Sequence, residues 1–228
     1  MSQLQNLTDT SYLPLEIQLS ETDLRTWKKE LDDLDQSCWF YDSYRDVEMV
    51  CLYSGNGEYK TKELIYENRK KSLEWTEASV KTPLLSTFLK TKIEHLFDPM
   101  GRITIIKTEP SQSIKEHMDC SQAEAEEYHA KFRIVISGDV GGLYFLSENG
   151  RKHVPDTHHT YVIDGSRAHG MFNNSKEVKY TLCIGSPWLG KYTEEGNRLI
   201  KRSLEVNKKD IILRKDLGLN RSKVEYQN

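Results

Sequence analysis

Three side chains in the second half of the chain have the types and spacing of a metal site. His117 and Asp119 lie two residues apart, and His169 follows further along the sequence. In an extended strand, side chains at positions i and i+2 point to the same side, so His117 and Asp119 can reach one ion. Two neutral imidazoles and one carboxylate leave coordination positions open, which is typical of non-haem Fe(II) centres. We therefore predict a site for one ferrous ion, with catalysis at these three residues.

A basic residue follows the third of these side chains at a fixed distance in the sequence. Lys179 follows His169 by ten residues in an apolar run that reads as a strand. There it would be a fixed cation facing an acidic co-substrate. A His-x-Asp pair alone is weak evidence, because these residues often fall two apart by chance. The hypothesis depends on the order of four features: a strand from Arg102, the His-x-Asp pair, a histidine after a tight turn, and the lysine.

Short strands must position these residues, because extended patterns dominate the chain from residue 102 to residue 188. Turn signals rich in Gly, Asn, Asp and Ser separate the strands, which we predict at about 102–107, 130–137, 142–146, 159–163 and 178–185. Several short strands spaced in this way indicate a barrel or sandwich. The third ligand lies on a separate segment, so the sheet is expected to curve in order to bring the segments together.

The flanking regions combine helical and extended patterns. Ser20, followed by acidic residues, predicts the start of a helix over 21–34. Apolar spacing predicts further helices at 84–97 and about 193–206, and alternation predicts a strand at 15–19. Aromatic residues are dense from 38 to 67. Such density more often packs a subdomain on the core than forms a substrate wall, so packing is the favoured interpretation.

Composition limits the class of protein. The chain has 228 residues, 37% hydrophobic and 29% charged residues, and a formal net charge of -3, which fits a soluble protein without a nucleic-acid or membrane partner. No apolar run is long enough to span a bilayer, and the first residues lack the layout of a signal peptide. The four cysteines form no CxxC pair. We therefore expect a cytoplasmic protein with reduced thiols.

In this order, the motifs resemble the Fe(II)- and 2-oxoglutarate-dependent oxygenases, and within them the aspartyl/asparaginyl β-hydroxylase-like branch. The matching segments are 102–106, 114–119, 131–136, 161–174 and 179–184. The resemblance implies a mainly β fold with flanking helices (α+β), built on a double-stranded β-helix or jelly-roll core. It implies iron ligands at His117, Asp119 and His169, and a basic residue at 179 that pairs with the distal carboxylate of 2-oxoglutarate.

The resemblance also implies the reaction and its cofactors. With Fe(II), dioxygen and 2-oxoglutarate, and with ascorbate in support, an unactivated C–H bond is hydroxylated while 2-oxoglutarate yields succinate and carbon dioxide. The substrate would be an amino acid residue in a protein or peptide, or a free amino acid. Lys179 departs from the usual arginine and supplies its charge as a point donor. Lys131 and Arg133 fall where the branch places side chains near the co-substrate, and alternation puts both on one face, so both are predicted to line the pocket.

Three segments are predicted. Residues 1–100 form a mixed N-terminal region that packs on the core and shapes the substrate pocket, 101–190 form the oxygenase core, and 191–228 form a C-terminal helix and a charged tail. Two other functions remain open. One is a cupin-like metal enzyme that does not use 2-oxoglutarate, in which Lys179 is structural, and the other is a non-catalytic jelly-roll binding module.

Overall fold

The computed structural model describes residues 7–58, 72–121, 131–185 and 191–218. Antiparallel strands are its main regular secondary structure. The strands are β1 (Thr10–Pro14), β2 (Phe40–Asp42), β3 (Val47–Gly55), β4 (Leu73–Trp75), β5 (Phe97–Asp98), β6 (Ile103–Thr108), β7 (Ser113–His117), β8 (Lys131–Ser137), β9 (Leu143–Ser147), β10 (Gly150–His153), β11 (Thr160–Ile163), β12 (His169–Phe172), β13 (Lys179–Ile184), β14 (Lys191–Tyr192) and β15 (Ile212–Leu213). The α-helices are α1 (Glu21–Asp32), α2 (Glu77–Lys81), α3 (Pro83–Phe88) and α4 (Glu194–Val206).

Two sheets enclose the interior of the molecule. The larger has the order β15-β1-β11-β8-β13-β6-β3-β2, with β4 paired to β3, and the smaller has the order β10-β9-β12-β7. From β6 to β13 the chain passes repeatedly from one sheet to the other. Side chains of both sheets meet between them, as where Val135 and Tyr161 of the larger sheet pack with Phe145 of the smaller. The expectation of a mainly β fold with flanking helices is confirmed.

The two faces of the larger sheet have different chemistry. On β13, Lys179 and Thr181 face the interior, where the Thr181 hydroxyl donates to the sulfur of Met171 on β12 at 3.9 Å. Tyr180 and Leu182, which alternate with them, belong to the apolar core on the helix side. Helices therefore cover an apolar face, and the polar face lines the space between the sheets.

Helix α1 begins and packs as its sequence dictates. The Ser20 hydroxyl accepts a hydrogen bond from the backbone N–H of Asp23, and Trp27 and Leu31 are buried against the sheet. The carboxylate of Glu30 accepts hydrogen bonds from the backbone N–H groups of residues 84 and 85, at the first turn of α3. This contact satisfies two amide groups that the start of a helix leaves without partners.

Two predicted elements differ in the structure. The strand expected at 15–19 was wrong, because β1 ends at Pro14 and the following residues leave the sheet. The Glu16 amide instead donates to the hydroxyl of Ser203 on α4, and Ile17 packs on the helix-side core. The helix expected at 84–97 changes its hydrogen-bond pattern, from α-helix to π-helix at Leu89–Ile93 and to 3-10 helix at Glu94–Leu96.

Helix length also bears on membranes. In the described ranges, no helix combines the length and the apolar character needed to cross a bilayer.

Candidate metal centre

The two predicted histidine ligands face each other on neighbouring strands of the smaller sheet. Strands β12 and β7 pair antiparallel, and the register places His169 directly opposite His117. Their ring centroids are 4.6 Å apart, and both residues are buried. The two segments are therefore brought together by the register of neighbouring strands. The expectation from the sequence was that curvature of the sheet would do this.

Each imidazole is oriented by a carbonyl of its own chain. Nδ1 of His117 lies 2.8 Å from the Lys115 carbonyl oxygen, and Nδ1 of His169 lies 2.8 Å from the Arg167 carbonyl oxygen. A carbonyl only accepts hydrogen bonds, so each Nδ1 carries the proton and each Nε2 has a free lone pair. The buried Nε2 of His169 has no hydrogen-bond partner among the described residues. This is the tautomer and the orientation that a metal ligand needs.

Asp119 completes the group from the loop after β7. Its backbone N–H donates to the Gly165 carbonyl at 2.7 Å, which places the carboxylate between the two rings. Asp119 Oδ1 lies 3.5 Å from His117 Nε2, and Oδ2 lies 3.5 Å from His169 Nε2. One donor atom from each of the three residues lies within 4.8 Å of the others, and the carboxylate is 2% exposed. This donor set, with two nitrogens and one oxygen, fits a divalent transition metal.

Three cations also contact the Asp119 carboxylate. Lys131 Nζ lies 2.9 Å and Arg45 Nη2 lies 3.4 Å from Oδ1, and Arg133 Nη2 lies 3.7 Å from Oδ2. Lys131 and Arg133 approach from the inner face of β8, which agrees with the predicted alternation. Their role toward a co-substrate stays a prediction.

These contacts set the charges within the site. Burial opposes ionisation of Asp119, but the positive charge of Lys131 leads the contacts that outweigh it and hold the pKa of the carboxyl well below its usual value. Burial, reinforced by Arg45 and Arg133, lowers the pKa of Lys131 despite the attraction of Asp119. Burial and the neighbouring His117 lower the pKa of His169 to about 3. His169 is therefore neutral at physiological pH.

Lys179 lies on the inner face of β13 and is fully buried. Its ammonium donates to the backbone carbonyl of Asp139, and no described carboxylate forms an ion pair with it. Burial lowers its pKa to about 8, opposed by the negative charge of Asp139 and helped by the positive charge of Arg133. Gly138, with a φ of +80°, makes room for it, since a Cβ there would lie 2.6 Å from the Lys179 Cβ. A fully buried ammonium without a direct ion pair among the described residues is costly, which points to an anionic ligand.

The ammonium of Lys179 lies at the opposite end of β12 from His169. A Cβ built on Gly142 would be 2.0 Å from the Phe172 carbonyl oxygen and 3.1 Å from Lys179 Nζ. Phe172 is three residues beyond His169, which corresponds to about 10 Å along a strand. That separation suits a ligand with an acidic group at each end.

Asn173 joins the segments around Lys179. Its side-chain nitrogen donates to the carbonyls of Thr108, Glu109 and Glu177 at 3.1, 3.2 and 2.7 Å, and its side-chain oxygen accepts from the amide of Asp139 at 3.4 Å. Asp139 in turn holds the Lys179 ammonium. Asn173 therefore links the loop before β13 to the residue that holds the lysine.

Replacing Asn173 with alanine is expected to lower the free energy of unfolding by roughly 2 to 4 kcal/mol, because the change leaves buried carbonyls without donors. Chemical denaturation checks this value. Asn174→Ala is the matched control, since that residue is exposed and none of its side-chain hydrogen bonds is described. Equal stability of the two variants would contradict the structural role of Asn173.

Two residues of the site were missed by sequence reasoning. Tyr44 and Arg45 lie in the turn between β2 and β3, and the Tyr44 ring stands edge-on to the His117 ring with centroids 6.3 Å apart. The guanidinium of Arg45 lies 5.7 Å from the centroid of the Tyr44 ring and contacts Asp119. Trp39, from the same aromatic region, is buried in the core as expected. The aromatic region therefore supplies both packing and a wall of the site.

The other histidines do not form a second metal site within the described part of the chain. His158 pairs with Asp210 at 3.2 Å, whereas Nδ1 of its neighbour His159 bonds the Val135 carbonyl at 2.7 Å, as expected for adjacent residues on opposite faces. His129, Trp188 and the acidic residues at 124–127 lie outside the described residues.

Comparisons with known proteins give structural likeness only. No family model and no curated protein matches the sequence. A prolyl-4-hydroxylase from Pseudomonas putida has 12% identity and a TM-score of 0.45, over 78% of this chain and 94% of that one. An oxidoreductase of the 2OG-Fe(II) oxygenase family from Burkholderia pseudomallei has 12% identity and a TM-score of 0.49, over 78% and 84%.

A prolyl hydroxylase from Trichoplax adhaerens, solved with a peptide fragment of hypoxia inducible factor, has 10% identity and a TM-score of 0.49, over 84% of this chain and 87% of that chain. Identities and TM-scores of this size carry no conclusion about activity.

Proposed function

We propose that this protein is an Fe(II)- and 2-oxoglutarate-dependent dioxygenase that hydroxylates an unactivated C–H bond of an amino acid, either free or within a peptide or protein. One observation carries the proposal, namely the convergence of His117 Nε2, His169 Nε2 and the Asp119 carboxylate within 4.8 Å in a buried place. The strand orders β11-β8-β13-β6 and β10-β9-β12-β7 support a double-stranded β-helix for the core.

The three ligands would hold one ferrous ion. Both imidazoles bind through Nε2, because their Nδ1 protons are committed to backbone carbonyls. Bound there, iron supplies the redox chemistry that couples decarboxylation of 2-oxoglutarate to oxygen insertion. The protein supplies orientation and charge, with Asp119 ionised and His169 neutral as ligation requires.

Lys179 would bind the distal carboxylate of 2-oxoglutarate. Its burial excludes water and strengthens the Coulombic attraction to an anion. Arg133, also buried on the inner face, adds positive charge near the same end of the pocket. Lys131 and Arg133 would orient the co-substrate near the iron. Among the alternatives, a cupin-like enzyme would leave the buried charge of Lys179 without a role.

The further divisions of the chain belong to the same proposal. We assign residues 101–190 to the oxygenase core of an aspartyl/asparaginyl β-hydroxylase-like protein, 1–100 to the substrate side, and 191–228 to a C-terminal helix and tail. Strands β1 to β4 and β15 extend the larger sheet beyond the core strands. A cytoplasmic location is proposed on the sequence grounds given above.

The affinity for 2-oxoglutarate is expected to depend on pH through Lys179. The ammonium has a pKa of about 8 and loses its charge above that value, whereas the two carboxylates of the ligand stay ionised. The dissociation constant of the Fe(II)-loaded protein should therefore rise about tenfold between pH 7 and pH 9. Anaerobic titration calorimetry measures it.

A Lys179→Arg variant is the control for this pH dependence. Arginine stays protonated over the whole range, so its profile should be flat. A flat profile for the wild type would contradict the assignment of Lys179 as the anchor.

Succinate formation tests the proposed function. Purified protein is incubated with Fe(II), ascorbate, dioxygen and 2-oxoglutarate, alone and with a panel of amino acids and peptides. Succinate should form, and its formation should stop when a chelator removes the iron or when dioxygen is excluded. Absence of iron-dependent succinate in every mixture would favour the non-catalytic binding module.

A further inference from the structure

A group of three cations faces the proposed iron site from the turn between β2 and β3 and from the inner face of β8. This cationic cluster consists of Arg45, Lys131 and Arg133, whose side chains are 27%, 22% and 7% exposed. The exposure decreases from Arg45 to Arg133, so Arg45 is the member of the cluster that solvent reaches most easily while it still contacts the buried carboxylate of Asp119. Arg133 and Lys131 are already assigned to the co-substrate, but Arg45 is not.

Arg45 is held by a second carboxylate that aims it at the site. Its Nη1 donates to Asp42 at 2.8 Å, and its Nη2 points to Asp119 at the longer distance of 3.4 Å. A guanidinium is a rigid planar fork, so the Asp42 contact fixes the direction of the other nitrogen. Asp42 is therefore a positioning residue for Arg45.

The charges around the site do not balance when it is loaded. Among the described side chains, the cationic cluster and Lys179 provide four positive charges, against the three carboxylates of Asp42, Asp119 and Asp139. The charges of Fe(II) and 2-oxoglutarate cancel each other. Coordination of iron by Asp119 would also weaken the ion pairs between its carboxylate and the cationic cluster. Among the described residues, one positive charge then remains unbalanced beside the open side of the site.

We propose that Arg45 binds a carboxylate of the substrate, so that the substrate class is an acid-bearing amino acid or peptide. The inference rests on the proposed function and names the substrate for the same site. The planar fork of arginine matches a carboxylate with two parallel hydrogen bonds. Tyr44, 47% exposed and edge-on to His117, forms the apolar wall beside it.

The test uses matched probes that differ only in charge. They are free L-amino acids with their carboxamides, and capped tripeptides with an internal aspartate or asparagine. The protein is loaded anaerobically with Fe(II) and 2-oxoglutarate, and probe binding is measured by calorimetry and by the shift in melting temperature, without turnover. At least one acid should bind the wild type, and its amide should bind at least about tenfold more weakly.

Variants of Arg45 assign this discrimination to one side chain. Arg45→Gln should weaken binding of the acid by about 10- to 100-fold and remove the preference over the amide. Arg45→Lys should keep part of the preference, because it keeps the charge without the fork. Arg198→Gln is the control with the same charge change, since Arg198 is exposed on α4 and pairs only with Glu194 among its described ion pairs.

Three outcomes would overturn the inference. They are equal binding of acids and amides by the wild type, an unchanged preference in Arg45→Gln, and no bound acid in a protein that binds 2-oxoglutarate. Binding of 2-oxoglutarate is measured first for each protein, and melting curves check that each variant is folded. A wild type that fails to bind 2-oxoglutarate would instead refute the proposed function and, with it, this inference.

Discussion

Replacement of His169 with alanine is expected to lower the affinity for Fe(II) by more than about 100-fold and to abolish succinate formation. The change removes one of three converging donor atoms, and the remaining His117 and Asp119 cannot fix one ion on their own. Anaerobic titration calorimetry with Fe(II) gives the affinity and the stoichiometry.

The control for this variant is His95→Ala. His95 is 40% exposed and pairs with Glu195 on the helix side of the molecule, so its loss should leave iron binding as in the wild type. If His169→Ala bound one Fe(II) per chain with wild-type affinity, His169 would not be a ligand.

Replacement of Lys179 with methionine is expected to have two opposite effects. Affinity for 2-oxoglutarate should fall at least about 100-fold, because the ligand carboxylate loses its buried charge partner. The free energy of unfolding should rise by roughly 1 to 3 kcal/mol, because methionine fills the space without a charge. The shift of the Lys179 pKa from 10.5 to about 8 corresponds to a burial cost of about 3 kcal/mol.

The size of this stability change depends on pH. Below a pH of about 8 the lysine is charged in both the folded and the unfolded chain, so the burial cost is fully present at pH 7. As the pH rises from about 8 to 10.5 the folded state releases its proton first, and the cost declines. Denaturation of wild type and variant at pH 7 therefore shows the largest difference.

Lys152→Met provides the matched control, since Lys152 is exposed on β10. It should change neither co-substrate affinity nor stability by much. If Lys179→Met bound 2-oxoglutarate with wild-type affinity, Lys179 would not be the residue that binds its distal carboxylate. That result would favour a cupin-like metal enzyme.

The three candidate ligands could be singled out from the sequence because the pairing of His117 with Asp119, and the order of His169 and Lys179, are properties of short segments. The predicted single extended segment is only partly observed, because β7 ends at His117 and Asp119 lies in the loop that follows. Local information also gives the start of α1, through Ser20 and the acidic residues after it. Alternation on β8 likewise placed Lys131 and Arg133 on one inner face.

The remaining features depend on contacts between distant segments. The opposition of His169 and His117 follows from the register of β12 against β7, which no local pattern specifies. Tyr44 and Arg45 reach the site only because β3 pairs with β6 and carries their turn to the open side. The alternation at 15–19 was misleading because the chain leaves the sheet after Leu15, whose amide donates to the Thr160 carbonyl, and Ile17 and Leu19 pack on the helix-side core outside any strand.

The electrostatic state of the site shows how the fold serves the proposed chemistry. Three cations on the polar inner face, joined by Arg45 from the turn between β2 and β3, surround the ionised Asp119 and the space between the two sheets. The opposite face of the larger sheet is apolar and covered by helices. Burial makes each charge more costly and each charge pair stronger. The site therefore carries positive charge that anionic ligands would neutralise.

Anomalous diffraction at the iron absorption edge, from crystals grown anaerobically with Fe(II) and 2-oxoglutarate, shows where iron binds. One iron per chain is expected, bound by Nε2 of His117, Nε2 of His169 and the carboxylate of Asp119. Iron bound elsewhere, or a site that holds no iron under these conditions, would contradict the proposed metal site.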